Sequence, residues 1–132
     1  MIKKIISGGQ TGADRGGLEG ARALGIETGG YCPKGYLTEN GLDLTLKDFG
    51  LIEINSKDYR ERTIKNIEIS DGTVIFDNVN EKGKLKSPGS VLTLNTAIKI
   101  SKPVVVNPDE LTFKTWLIEN NIHVLNVAGN RE

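Results

Sequence analysis

Ile2-Lys3-Lys4-Ile5-Ile6-Ser7-Gly8-Gly9-Gln10-Thr11-Gly12-Ala13-Asp14 is the stretch on which the reading of this chain turns. Ile2 to Ile6 is a short apolar segment rich in β-branched residues, which favours a strand. From Arg15 to Gly25, Leu18, Ala21 and Leu24 recur at helical spacing. Between the two lies a glycine-rich turn, so the order is strand, turn, helix. Glycines let a backbone approach a bulky group and adopt positive φ. The helix that follows directs free N–H groups and the positive end of its dipole at the same point. Gly8, Gly9, Gln10, Thr11 and Gly12 are therefore predicted to hold a phosphate or another oxyanion. Asp14 falls in the first helical turn, as a cap or as a partner for a ligand hydroxyl or metal. The run is neither G-x-G-x-x-G nor G-x-x-x-x-G-K-[ST], so it gives no support to standard nucleoside triphosphate hydrolysis.

Outward from this unit, strand and helix patterns alternate. Ile26–Tyr31 reads as a second, weak strand, followed by a Gly-, Asn- and Asp-rich region from Cys32 to Gly50. Leu51–Ile54 reads as a short extended piece and Asp58–Ile69 as a helix with Ile64 and Ile67 inward. An Asp71-Gly72 turn introduces a strand at Thr73–Phe76. Pro88–Ser101 follows as a helix with Val91, Leu94 and Ile98 on one face. Pro103–Val106 reads as a buried strand, Asp109–Asn121 as a helix capped by Asp109, and Ile122–Val127 as the last strand. Such alternation predicts a Rossmann-like three-layer α/β/α sandwich, with a mainly parallel sheet of about five strands, in one domain over residues 1–132.

In open parallel sheets, ligands bind beyond the carboxyl ends of the strands, at the switch in strand order. The polar and glycine-rich segments fall there: Ser7–Asp14, Gly29–Gly35, Asp77-Asn78 with Lys84–Ser90, and Ala128–Glu132. Lys34, Gly35 and Arg131 are thereby candidates for phosphate binding, and Arg62 is a candidate on a helix able to lean over the cleft. Asp77 suits a ribose hydroxyl or Mg²⁺. Ser87-Pro88-Gly89-Ser90 opens a helix with Pro at its start, so Gly89, Ser90 and Thr93 are predicted to form a second oxyanion site. A ligand with two anionic groups, or a phosphate and a polar ring, fits two such turns.

The chain has 132 residues, 37% hydrophobic and 26% charged, with formal net charge +0. Those values suit one globular domain and give no case for nucleic acid or an anionic membrane. The single cysteine, Cys32, allows no internal disulfide. No apolar run is long enough for a membrane span and no signal peptide is recognised, so a cytoplasmic location is expected. As a thiolate ligand or nucleophile Cys32 competes with the commoner role of a buried inert thiol. His123 reads as structural, and no metal-ligating set is assigned. Phe113 and Trp116 read as core or interface, which leaves a homo-oligomer open.

These motifs carry a resemblance. Ser7–Arg15, Cys32-Pro33-Lys34-Gly35, Arg62-Thr63 with Asn66, Ser70–Thr73 and Leu125–Gly129 resemble, in order, the putative molybdenum carrier family. That family is a circularly permuted YpsA-like group among Rossmann-like proteins that sense or process nucleotide-derived ligands. The resemblance implies a phosphate-bearing nucleotide- or pterin-derived ligand, with the molybdenum cofactor among the candidates. The same wider group includes phosphoribohydrolases with a Pro-Gly-Gly-x-Gly-Thr-x-x-Glu signature. Here Pro88–Thr96 keeps Thr93, but Ser90 and Leu92 replace two glycines and Thr96 stands at the glutamate position. A hydroxyl does not replace a carboxylate base at neutral pH. Binding is therefore favoured over the alternative, a nucleotide-processing hydrolase.

Overall fold

The computed structural model describes residues 1–131; Glu132, read as the end of the last loop, lies outside the described residues. The first unit folds as its sequence predicts, with β1 at Lys4–Ile6 and α1 at Ala13–Ala23. Next come β2 (Glu27–Cys32), β3 (Leu37–Thr38), β4 (Gly41–Leu42), the single-turn helix α2 (Thr45–Asp48) and β5 (Leu51–Glu53). The chain continues through α3 (Tyr59–Ile69), β6 (Gly72–Phe76), α4 (Pro88–Lys99), β7 (Val104–Val106), α5 (Glu110–Glu119) and β8 (Val124–Gly129). Six strands form one parallel sheet in the order β5-β2-β1-β8-β6-β7, one more than expected. The addition is β5, the short extended piece, which pairs Leu51 with Gly30 and Glu53 with Cys32. The region from Cys32 to Gly50 is not a plain loop: β3 and β4 make a separate antiparallel hairpin, with Leu37 opposite Leu42.

β1 and β8 lie side by side, Ile5 against Leu125, and the order reverses there. The glycine turn after β1 thus falls at the switch in strand order. Alternation along β8 separates two layers. Leu125 and Val127 join Val74 and Ile122 in a cluster covered by Phe113, Trp116 and Leu117 of α5. Gly17 of α1 also sits on Val127; a Cβ there would lie 2.9 Å from its side chain. α3 and α4 pack on one another across the sheet's other face. The Phe113 and Trp116 rings stack 6.2 Å apart. A further cluster gathers Leu18, Cys32, Leu46, Phe49 and Leu51 beneath α1 and α2.

Several inward faces differ from the periodic reading. Leu24, Ile64, Val91 and Ile98 are exposed, while Leu18, Ala21 and Ile67 are buried. On α4 the buried stripe is Ser90, Thr93 and Ala97. Small residues occupy it because α4 approaches the sheet and α3 closely, which displaces the larger apolar side chains outward. β7 is an edge strand, so its three valines are only half-buried.

Candidate functional site

The turn between β1 and α1 is held mostly by its own groups. Ser7 Oγ donates to the Asp14 carbonyl (3.0 Å) and accepts from Gly9 N (3.3 Å). Gln10 N donates to Asp14 Oδ2 (3.2 Å). Gly12 is the N-cap, and no side chain among the described residues caps α1. Ala13 N donates to the Asn130 carbonyl (3.1 Å), while Asn130 N donates to the Phe76 carbonyl (2.9 Å). This bridge requires Gly129: φ is +154°, and a Cβ there would lie 1.9 Å from the Phe76 oxygen. The ends of β8 and β6 are thereby brought against the start of α1.

A cavity of about 470 Å³ opens at this junction. On one side it is lined by Gln10 and Asp14, below by Ala128 to Arg131, and on the other by Asp77 and the Lys86–Gly89 segment with Thr93. Arg62 closes it from α3. Of the residues singled out from sequence, the structure gathers Gln10, Asp14, Arg62, Asp77, Gly89, Thr93 and Arg131 around this one space. Gly9, Gln10, Thr11 and Gly12 line a second cavity, about 550 Å³, on the opposite side of the turn, with Arg15, Thr38 and Asp43. Lys34 and Gly35 line neither. Ser90 is buried within α4, beneath the lining rather than in it.

Gly8 is small because Arg62 lies on it: a Cβ there would come 1.9 Å from the guanidinium. Gly9 is small for another reason. With φ at +75°, its missing side chain faces Leu46 and Leu51, 2.8 Å from a would-be Cβ. It serves core packing and backbone conformation as well as the turn. Gln10 is 2% exposed. Its amide Nε2 donates to the carbonyls of Gly8 (3.4 Å) and Leu37 (3.0 Å), which fixes the amide's orientation. Its Oε1 is buried without a partner among the described residues. The donors expected from Gln10 are therefore spent within the protein, and an acceptor is left.

Arg62 Nη1 stands 3.5 Å from Asp14 Oδ2, with side-chain exposures of 13% and 6%. Burial drives the Asp14 pKa upward, more than Arg62 and the Gln10 amide pull it down. The Arg62 Nε has no hydrogen-bond partner among the described residues. At the rim, Arg131 lies over the Tyr59 ring at 4.6 Å and stands 3.6 Å from Glu39 Oε2. Glu39 Oε1 accepts from Thr11 N (2.6 Å) and from Thr11 Oγ1. Burial alone would raise the Glu39 pKa; the Thr11 hydrogen bonds, its own backbone amide and Arg131 together outweigh it and hold the carboxyl below its ordinary value.

Asp77 organises the opposite wall. Its oxygens accept from Ser87 N (3.0 Å), Ser87 Oγ (3.0 Å) and Asn78 N (2.8 Å). Asn107 brackets its backbone on both sides. Burial opposes ionisation, but the Ser87 and Asn78 donors prevail and keep its pKa low. These donors make Asp77 the anchor of the α4 N-terminus, with Pro88 in the first turn, and leave it poorly placed for Mg²⁺. The described residues contain no group of three or more His, Cys, Asp or Glu able to hold a metal ion. Thr93 Oγ1 donates to the Gly89 carbonyl (2.9 Å) one turn back.

Cys32 lies in the core, and burial, with Glu53 adding to it, pushes its thiol up to about 11. His123 is at the far, N-terminal end of β8, its Nδ1 3.0 Å from the Met1 carbonyl. No helix of the described residues is long and apolar enough to cross a membrane. Sequence reasoning did not single out Glu39, Asn130 or Asn107. The Asn40-Gly41 pair, a turn signal in the sequence, was the available cue for placing Glu39 at a turn.

A parallel sheet with a glycine turn at its switch point, facing a second helix N-terminus across a charged cavity, defines a Rossmann-like α/β protein. The chain belongs to the circularly permutated YpsA SLOG family, which matches residues 5–132. It is also similar to a crystal structure described as a putative molybdenum carrier protein from Syntrophus aciditrophicus SB. The two share 40% identity over 98% of this chain and 83% of that one, with a TM-score of 0.85. A search of curated proteins gives no match.

Proposed function

We propose that this protein binds a small phosphate-bearing ligand, nucleotide- or pterin-derived, in the cavity between the N-termini of α1 and α4. The observation that carries this reading is Arg62. Its guanidinium is largely withdrawn from water, its Nε is unpaired among the described residues, and its carboxylate neighbour is 3.5 Å away and itself disfavoured as an anion by burial. A buried charge so incompletely matched is costly unless a ligand supplies the remainder. Arg131 and Lys86 add positive charge to the same lining. The start of α4, with its amides and dipole, completes the setting for an oxyanion.

Family membership and the likeness to a molybdenum carrier support a pterin-borne cargo among the finer readings. Cys32 offers a carried metal no ready thiolate, because it is buried and its thiol is pushed up. The test is mass spectrometry of small molecules released when the purified protein is denatured, with elemental analysis for molybdenum. A stoichiometric phosphate-bearing compound is expected. A bound compound without phosphate or another oxyanion contradicts the reading.

A further inference from the structure

The donors of Thr11 are already holding an anion, and it belongs to the protein. One Glu39 oxygen takes both the amide and the hydroxyl of Thr11, while the other faces Arg131. Glu39 stands at the tip of the β3–β4 hairpin, outside the main sheet. We propose that Glu39 is an intramolecular anion latch: its carboxylate, held by Thr11, neutralises Arg131 at the rim of the cavity between α1 and α4, and the hairpin lifts when a ligand oxyanion takes that cation. This rests on the proposed ligand-binding function and names a regulation of that same site.

Three features make the hairpin suited to movement as a unit. Its tip is tied to itself, with Thr38 Oγ1 donating to the Gly41 carbonyl (2.8 Å) and accepting from Asn40 N (3.1 Å). A two-stranded ribbon of this length has little stability of its own and depends on what it rests against. The closed position also leaves Gln10 imperfectly satisfied: Nε2 reaches the hairpin's Leu37 carbonyl, yet Oε1 is buried without a partner among the described residues. Opening would break the Leu37 contact and free the Gln10 amide to reorient. Arg131 does not depend on Glu39 for its place, because its guanidinium also rests over Tyr59. It therefore remains at the cavity rim after the carboxylate departs.

Carboxylate and phosphate compete for Arg131, so the closed state lowers apparent ligand affinity by the fraction of molecules that are open. Glu39→Gln keeps the shape of the side chain and removes its charge. The experiment is calorimetric titration of the parent, Glu39→Gln and Glu39→Ala with adenosine 5′-monophosphate and with inorganic phosphate. Melting curves confirm folding, and hydrogen exchange is followed at the Thr11 amide. Both variants should bind the monophosphate more tightly, by about tenfold, and in the parent the probe should change exchange across residues 37–42. Equal affinity in all three proteins overturns the latch and leaves the binding site standing. Weaker binding by both variants also overturns it, making Glu39 a ligand contact. Absence of binding by any of the three overturns the underlying anion site and the latch with it.

Discussion

At the scale of single residues, Arg62 and Asp14 are the most closely coupled pair. Replacing Arg62 with Ala leaves the Asp14 carboxylate buried without its cationic neighbour. The expected cost is about 3 kcal/mol at neutral pH, read from urea unfolding. Its sign with pH follows from Asp14. Burial already raises that pKa, and loss of Arg62 raises it further. An acid with a raised folded-state pKa destabilises the fold as pH rises from its unfolded value through its folded one. The deficit of Arg62→Ala should therefore shrink on acidification; a deficit that grows would show that Asp14 is not the group left exposed to burial. Cys32 makes a simpler prediction. With a thiol raised to about 11, only about one molecule in ten thousand carries thiolate at neutral pH. Ellman's reagent should react with the folded protein far more slowly than with the unfolded chain.

At the scale of elements, polar side chains fix the ends of strands where the ladder itself cannot. Asn66 of α3 both donates to the Tyr31 carbonyl (3.0 Å) and accepts from Tyr31 N (2.7 Å), in a stretch of β2 that β1 no longer accompanies. Asp71 accepts from His123 N (2.9 Å) and Val124 N (2.8 Å) at the entry to β8. The Val124 bond is the largest influence on Asp71; burial opposes it, the His123 bond assists, and the net effect lowers the pKa. Asp71 thus stabilises the fold above the ordinary carboxylate range, and that stability is lost as pH falls through its lowered folded value. Asp71→Ala should lose about 1 kcal/mol at neutral pH, and less in acid, by thermal unfolding. An unchanged melting temperature would show these bonds to be dispensable. Asn66 was visible in the sequence only as part of a resemblance, because its partner is a backbone that no local pattern reveals. The hairpin was missed because its strands are two residues each, too short for alternation to show. The face of α4 was misjudged because periodicity finds large apolar residues, while close helix packing here uses Ser90, Thr93 and Ala97; on α3, Ile67 is inward as read and Ile64 is not.

At the scale of the whole molecule, the βα alternation made the layered fold legible: five of the six parallel strands follow from it, and β5 showed only as a short extended piece. The sequence also set its polar and glycine-rich segments at the sheet edge where the proposed site lies. It could not tell which side of the glycine turn faces the ligand. The structure sets one cavity on each side, and the glycines differ in what they permit. Gly9→Val would press on Leu46 and Leu51 and strain a residue at φ +75°. It should destabilise by about 2 kcal/mol or more, so its effect on binding would be confounded with folding. Gly89 and Gly16 meet open space and have no positive φ. Gly89 lines the cavity between α1 and α4, whereas Gly16 lines the one on the opposite side. The most direct measurement is therefore calorimetric titration of Gly89→Leu and Gly16→Leu with adenosine 5′-monophosphate, beside melting curves for each. Gly89→Leu should bind at least about tenfold more weakly at nearly unchanged stability, while Gly16→Leu binds as the parent does. Full affinity in Gly89→Leu with loss in Gly16→Leu would place the ligand across the turn and contradict the assignment.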